Sequence, residues 1–152
     1  MKVVINECFG GFGLSVEAIK KLVQLNAKCI KSMTPIEYYG GNKPNYKHSN
    51  KNWAEDWKKD FEEYIDIGDG FKGHNREFNI YDEKTDLLYN FEKYDGETRA
   101  DENLIKVVEE LGEKSWGGYA ELKIVEIPDN INWTIRDYDG METIEEEHRS
   151  WS

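Results

Sequence analysis

Near the N-terminus the chain reads Cys8-Phe9-Gly10-Gly11-Phe12-Gly13-Leu14-Ser15. Glycines at positions 10, 11 and 13 admit backbone angles that any residue with a Cβ avoids. The stretch lies between an apolar run, Val3-Val4-Ile5, and a helical pattern that begins near Ser15. Strand, glycine-rich turn and helix therefore follow one another within about two dozen residues. That order fixes how the start of the chain enters its core, and the rest must pack around it.

The arrangement can cradle a phosphate, because backbone N–H groups and a helix N-terminus then point at an anion. The details are weak for that use. No lysine follows the glycines as in a Walker loop, and Gly11-Phe12-Gly13 lacks the third glycine of a dinucleotide fingerprint. Phe9 and Phe12 interleave the glycines, which suits a tight loop plugged into the core. Three readings stay open, in this order: a structural turn, a ligand loop, and a partner contact.

The flanking elements follow from periodicity. Residues 2–7 read as a buried strand. Ser15 is a candidate N-cap with Glu17 in the first turn, and Ala18, Ile19, Leu22, Val23 and Leu25 form the apolar face of a helix ending near residues 26–28. In the last third, Asp101 caps a helix in which Leu104, Val107, Val108 and Leu111 recur at i, i+3, i+4 and i+7, and Gly112 stops it. Residues 122–127 make a strand closed by Pro128. Ile131, Trp133 and Ile135 alternate with polar residues, and Asp139-Gly140 turns that strand back through 141–147.

Residues 30–100 are the less regular part. Gly40 to Asn52 carries turn chemistry, and Trp53, Trp57, Phe61 and Tyr64-Ile65 fit an amphipathic helix over 53–65. A hairpin around Glu83-Lys84-Thr85 competes with a helix over 86–93. The expectation is one α+β domain spanning 1–152. Its N-terminal strand and C-terminal meander share a mixed sheet under helices, and 30–100 is a variable lobe within it.

At 152 residues with 20 Lys+Arg against 31 Asp+Glu, the chain has a formal charge of −11. Such a surface repels nucleic-acid phosphates, so direct DNA or RNA binding is not expected. It is suited to solubility, and it can dock on a basic protein surface, including one built to hold DNA. Cys8 and Cys29 are too few for a disulfide scaffold and read as free thiols in a reducing cytosol. No signal peptide is evident, and no apolar run approaches the roughly eighteen residues of a membrane span. His48, His74 and His148 have no paired spacing and there is no Cys-x-x-Cys, so neither a metal nor another cofactor is expected.

Four arginines stand in this acidic chain: Arg76, Arg99, Arg136 and Arg149. A planar guanidinium suits phosphate or carboxylate recognition, and a salt bridge to one of the many carboxylates is the plainer use. A ligand loop would use Phe9, Gly10, Gly11, Phe12, Gly13 and Ser15, with Arg99, His148 and Arg149 adding charge if the two ends of the chain meet. A Cys8–His148 pair would be the enzymatic variant, against a structural cysteine. Trp151 in the sequence His148-Arg149-Ser150-Trp151 suggests that the tail docks, most simply on its own domain.

Val3-Val4-Ile5-Asn6, the block from Cys8 to Ser15 and Glu17-Ala18 resemble the start of a family of small phage- and prophage-encoded proteins of unsettled activity. The likeness continues in residues 107–112, 122–128 and 137–140, and closes with Glu147-His148-Arg149-Ser150-Trp151. It covers about half the chain and leaves out the middle lobe. It implies an accessory protein in a host bacterial cytoplasm, where such proteins often interfere with host enzymes or host defence. On that reading the chain is a non-enzymatic inhibitor that binds a host or anti-phage defence protein. Its acidic surface and Tyr38, Tyr39, Trp53 and Trp57 would make the contact. The alternative is a protein that sequesters a nucleotide signal in the glycine loop.

Overall fold

The computed structural model describes residues 1–38, 64–74, 79–92 and 95–146. Strand β1 spans Lys2–Asn6 and buries Val3, Val4, Ile5 and Asn6 in succession. A strand buried this continuously needs cover on both faces. It pairs antiparallel with β7 (Leu122–Glu126), from Lys2 opposite Glu126 to Asn6 opposite Leu122.

Helix α1 (Val16–Gln24) starts where Ser15 Oγ accepts the Ala18 N–H at 3.1 Å. It ends at Asn26, whose φ of 54° takes the chain out of the helix. Val16, Ala18, Ile19 and Leu22 form its buried stripe. The long helix of the last third, Glu102–Leu111, opens on Asp101, whose carboxylate accepts the N–H groups of Asn103 and Leu104 at 2.8 and 3.2 Å. Gly112, with φ +56°, closes it. These two helices pack on each other through Ile19, Leu22, Leu104, Val107 and Val108. Each such side chain removed from water contributes about 1.5–3 kcal/mol.

The sheet arrangement differs from the expectation. The N-terminal strand does pair with β7, the first strand of the expected meander, but the rest of that meander forms a separate hairpin instead of continuing one mixed sheet. Among the described residues there are three sheets and every pairing is antiparallel. The largest has five strands and comes from the middle region: β2 (Ile30–Met33), β3 (Ile65–Gly68), β4 (Phe71–His74), β5 (Asn79–Asp82) and β6 (Leu87–Phe91), in the order β2-β6-β5-β4-β3. A single helical turn, α2 (Pro35–Tyr38), follows β2, so the long helix at 102–111 is α3. The hairpin alternative at 83–85 is the one realised: β5 pairs with β6, and Asp82 holds the turn through Lys84 N–H and the Thr85 hydroxyl. Residues 53–63 of the expected helix lie outside the described residues. Ile65, its expected last residue, opens β3 instead.

Phe71 and Ile80 of the five-stranded sheet belong to the same core as Val4, Leu14, Leu22 and Leu104, so the molecule is one α+β domain. Lys20 ties α1 to that sheet, donating to the Ile67 carbonyl at 2.7 Å and pairing with Asp69 at 3.0 Å. The third sheet is the hairpin of β8 (Trp133–Tyr138) and β9 (Met141–Glu146), turned at Asp139-Gly140 with φ values of 51° and 92°. No helix among the described residues is long and apolar enough to cross a membrane.

Candidate functional site

Asn6, the last residue of β1, is fully buried, and its side chain organises the glycine loop. Its amide donates to the carbonyls of Cys8 and Gly140, both at 2.7 Å. Its oxygen accepts the Glu121 N–H at 2.9 Å. One side chain thus clamps the loop after β1, the approach to β7 and the turn between β8 and β9.

The glycines are needed because these segments touch backbone to backbone. A Cβ placed on Gly10 would lie 1.7 Å from the Tyr119 carbonyl oxygen. One on Gly140 would lie 2.6 Å from the Gly11 nitrogen and 2.7 Å from the Phe9 oxygen. Gly117 packs equally close on Gly13 and donates its N–H to that residue's carbonyl at 2.9 Å. Gly11 carries φ +89°, which a β-carbon disfavours. The stretch is a three-way backbone junction, which is what the structural-turn reading requires.

Phe12 points inward, 5.3 Å from the ring of Phe91. The Arg99 guanidinium lies over the Phe12 ring at 3.4 Å from its centroid. Arg99 is only 6% exposed and forks onto both oxygens of Glu142, at 2.7 and 2.9 Å. Glu142 Oε1 also accepts the Asn6 backbone N–H at 2.8 Å. Arg99 therefore lies inside the molecule with its charge matched by Glu142, in the salt-bridge use. It does not present a free cation to a ligand at the loop. Ser15 is similarly engaged: its hydroxyl caps α1 and donates to the Lys114 carbonyl at 2.6 Å.

Cys8 is partly exposed, with its thiol 3.1 Å from the Tyr119 carbonyl. Burial pushes the Cys29 thiol up to about 12, and the nearby Asp101 carboxylate adds to the shift, so Cys29 stays protonated near neutral pH. His148 and Arg149 lie outside the described residues, as do Tyr39, Trp53 and Trp57; Tyr38 closes α2. Among the described residues no three His, Cys, Asp or Glu side chains gather as a metal would need.

The junction carries an exposed feature that the sequence pattern does not announce. Phe9, Tyr119 and Tyr138 are 63, 79 and 74% exposed, far above the usual state of large aromatics. The contacts of Gly10 with Tyr119 and of Gly140 with Phe9 bring the three segments together, and Tyr138 is two residues from Gly140. Exposed Glu7, Glu121, Asp137 and Asp139 flank the three aromatics in sequence. A faint signal does exist in the sequence. Each tyrosine adjoins turn residues, Gly117-Gly118-Tyr119 and Tyr138-Asp139-Gly140: Tyr119 lies in a turn and Tyr138 ends β8 at its hairpin.

A second feature lies at the other end of β8. A groove of about 370 Å³ separates the Asp95–Glu97 turn from the segment Ile131–Ile135. Asp95 opens a short 3₁₀ helix there (Gly96–Ala100), accepting the Glu97 N–H at 3.0 Å. No family model, curated protein or solved structure matches this chain.

Proposed function

We propose that this protein is a phage-encoded accessory protein that works by binding, inhibiting a bacterial host or anti-phage defence protein in the host cytoplasm. The observation that carries the reading is the exposed trio of Phe9, Tyr119 and Tyr138, on two loops and the end of β8 where backbone contact locks the segments together. Aromatic residues on a rigid support lose little conformational freedom on binding, which is why they recur as interface anchors. The acidic residues flanking them and a net charge of −11 favour a basic partner. Tyr38, Tyr39, Trp53 and Trp57, expected from the sequence to make the contact, would extend the interface. The phage context comes from the resemblance of the two chain ends.

The rival reading, sequestration of a nucleotide signal in the glycine loop, loses one of its cations because Arg99 is bound to Glu142. Thermal unfolding with a panel of nucleotides tests it. A nucleotide at about 100 times its Kd would add about 2.7 kcal/mol of stability.

The binding reading is tested with a Phe9→Ser/Tyr119→Ser/Tyr138→Ser variant. All three side chains are exposed, so the variant is expected to unfold with the wild-type Tm. Wild type should retain a stoichiometric host protein from bacterial lysate and inhibit it once purified. Losing even one anchor of about 2 kcal/mol weakens Kd about 30-fold. Equal retention and equal inhibition by the variant would remove this face from the interface.

A further inference from the structure

We infer that the groove between the Asp95–Glu97 turn and strand β8 receives an arginine side chain of the partner protein. The inference rests on the binding reading and deepens it, by naming a second point of contact and its chemistry.

The groove has two unlike walls. One carries the carboxylates of Asp95 and Glu97, and no lysine or arginine among the described residues pairs with either. The other is the segment Ile131–Ile135, where the partly exposed Ile131, Trp133 and Ile135 alternate with exposed Asn132 and Thr134. Of the side chains that could fill such a space, arginine answers both walls. Its planar cation stacks on an indole face, its fork suits carboxylate oxygens, and its methylene stem covers isoleucine. Lysine offers a point charge with no face to stack, and an apolar side chain would strand two carboxylates against it. About 370 Å³ is ample for one such arm.

Backbone geometry leaves open space at Gly96, one of the residues lining the groove. Gly96 lies between the two carboxylates, and a Cβ built on it would meet no heavy atom within 4 Å. Its φ lies outside the left-handed region, so a larger residue there carries no backbone penalty. Gly96→Leu therefore adds bulk at the groove's lining without disturbing the fold. Asp95→Asn keeps the cap to the Glu97 N–H while removing a charge, because Asn caps as well as Asp.

The test uses the full chain and acetyl-Gly-Arg-Gly-amide, with its neutral citrulline counterpart as control, followed by ¹H–¹⁵N spectra. Saturable shifts are expected at Gly96, Glu97 and the Trp133 indole N–H. Binding of the citrulline peptide should be at least tenfold weaker. Asp95→Asn and Glu97→Gln should each weaken the arginine peptide severalfold, and Gly96→Leu should abolish its effect. Equal binding of both peptides, or no shift with either, overturns the proposal. Shifts that emerge only in an Arg149→Gln background would assign the groove to the chain's own tail and overturn it too. Shifts that develop with protein concentration alone would assign the groove to a second copy and would equally overturn it. None of these outcomes touches the aromatic trio, so the groove can fail while the binding reading stands.

Discussion

Glu142 has a buried carboxylate with three donors on it: two from the Arg99 fork and one from the Asn6 backbone. The pair lies between Phe12, β1 and β9, away from water. Taking two charges out of water is offset only while both remain, so removing one is far costlier than removing both. Glu142→Gln is expected to lower unfolding stability by about 3–5 kcal/mol, because it leaves the Arg99 guanidinium buried without its counter-charge. Replacing the pair together, Arg99→Met with Glu142→Gln, which keeps an acceptor for the Asn6 N–H, should recover much of that loss. Urea denaturation of the three proteins measures this. A single-variant loss below about 1 kcal/mol would mean that water reaches the guanidinium. Arg99 also illustrates what residue chemistry alone leaves open: a scarce arginine in an acidic chain fits a ligand or a carboxylate equally. Its choice of Glu142, 43 positions away, depends on how β9 crosses β1, which no local pattern encodes.

Elements were legible where one short-range signal sufficed. Ser15 and Asp101 both cap helices as their sequence context requires, and Gly112 ends α3. The Asp139-Gly140 turn and the β5–β6 hairpin also follow from local turn chemistry. Asp101 is the stronger test, since its carboxylate accepts two N–H groups of α3. Asp101→Ala should cost about 1 kcal/mol and Asp101→Asn far less, a difference that guanidinium denaturation resolves. An equal loss for both would show that Asp101 acts by its charge rather than as a cap. The middle sheet was not legible for an equally physical reason. Its strands are four or five residues long, too short for alternation to declare itself, and β3, Ile65-Asp66-Ile67-Gly68, continues an aromatic spacing that also suits a helix. Pairing was legible in part: the N-terminal strand does join a C-terminal strand, β7, but strand chemistry does not say that β8 and β9 leave that sheet to form their own hairpin. The glycine loop was visible as a feature, but its role depended on Gly117, Tyr119 and Gly140 arriving from elsewhere.

For the whole molecule the governing quantity is a net charge of −11. Self-repulsion opposes the compact state, and the same field draws the protein toward a basic partner. Salt screens both effects over a Debye length of about 10 Å at 0.1 M, so its influence on folding and on binding should have opposite signs. Raising NaCl from low millimolar concentration to a few hundred millimolar is expected to stabilise the isolated chain by roughly 1 kcal/mol, about 3 °C in Tm for a domain of this size. Over the same range, association with the partner should slow by about tenfold or more while dissociation changes little, since steering acts on encounter. Surface ion pairs such as Lys2–Glu109 and Arg136–Glu145 pull the folding response the other way, but exposed pairs of this kind are each worth a fraction of a kcal/mol. Calorimetric melting and stopped-flow association, run across one salt series, separate the two responses. A Tm that falls with salt would place the stabilising weight on those pairs rather than on relief of repulsion. An association rate indifferent to salt would leave the aromatic trio to recruit its partner without help from the charge around it.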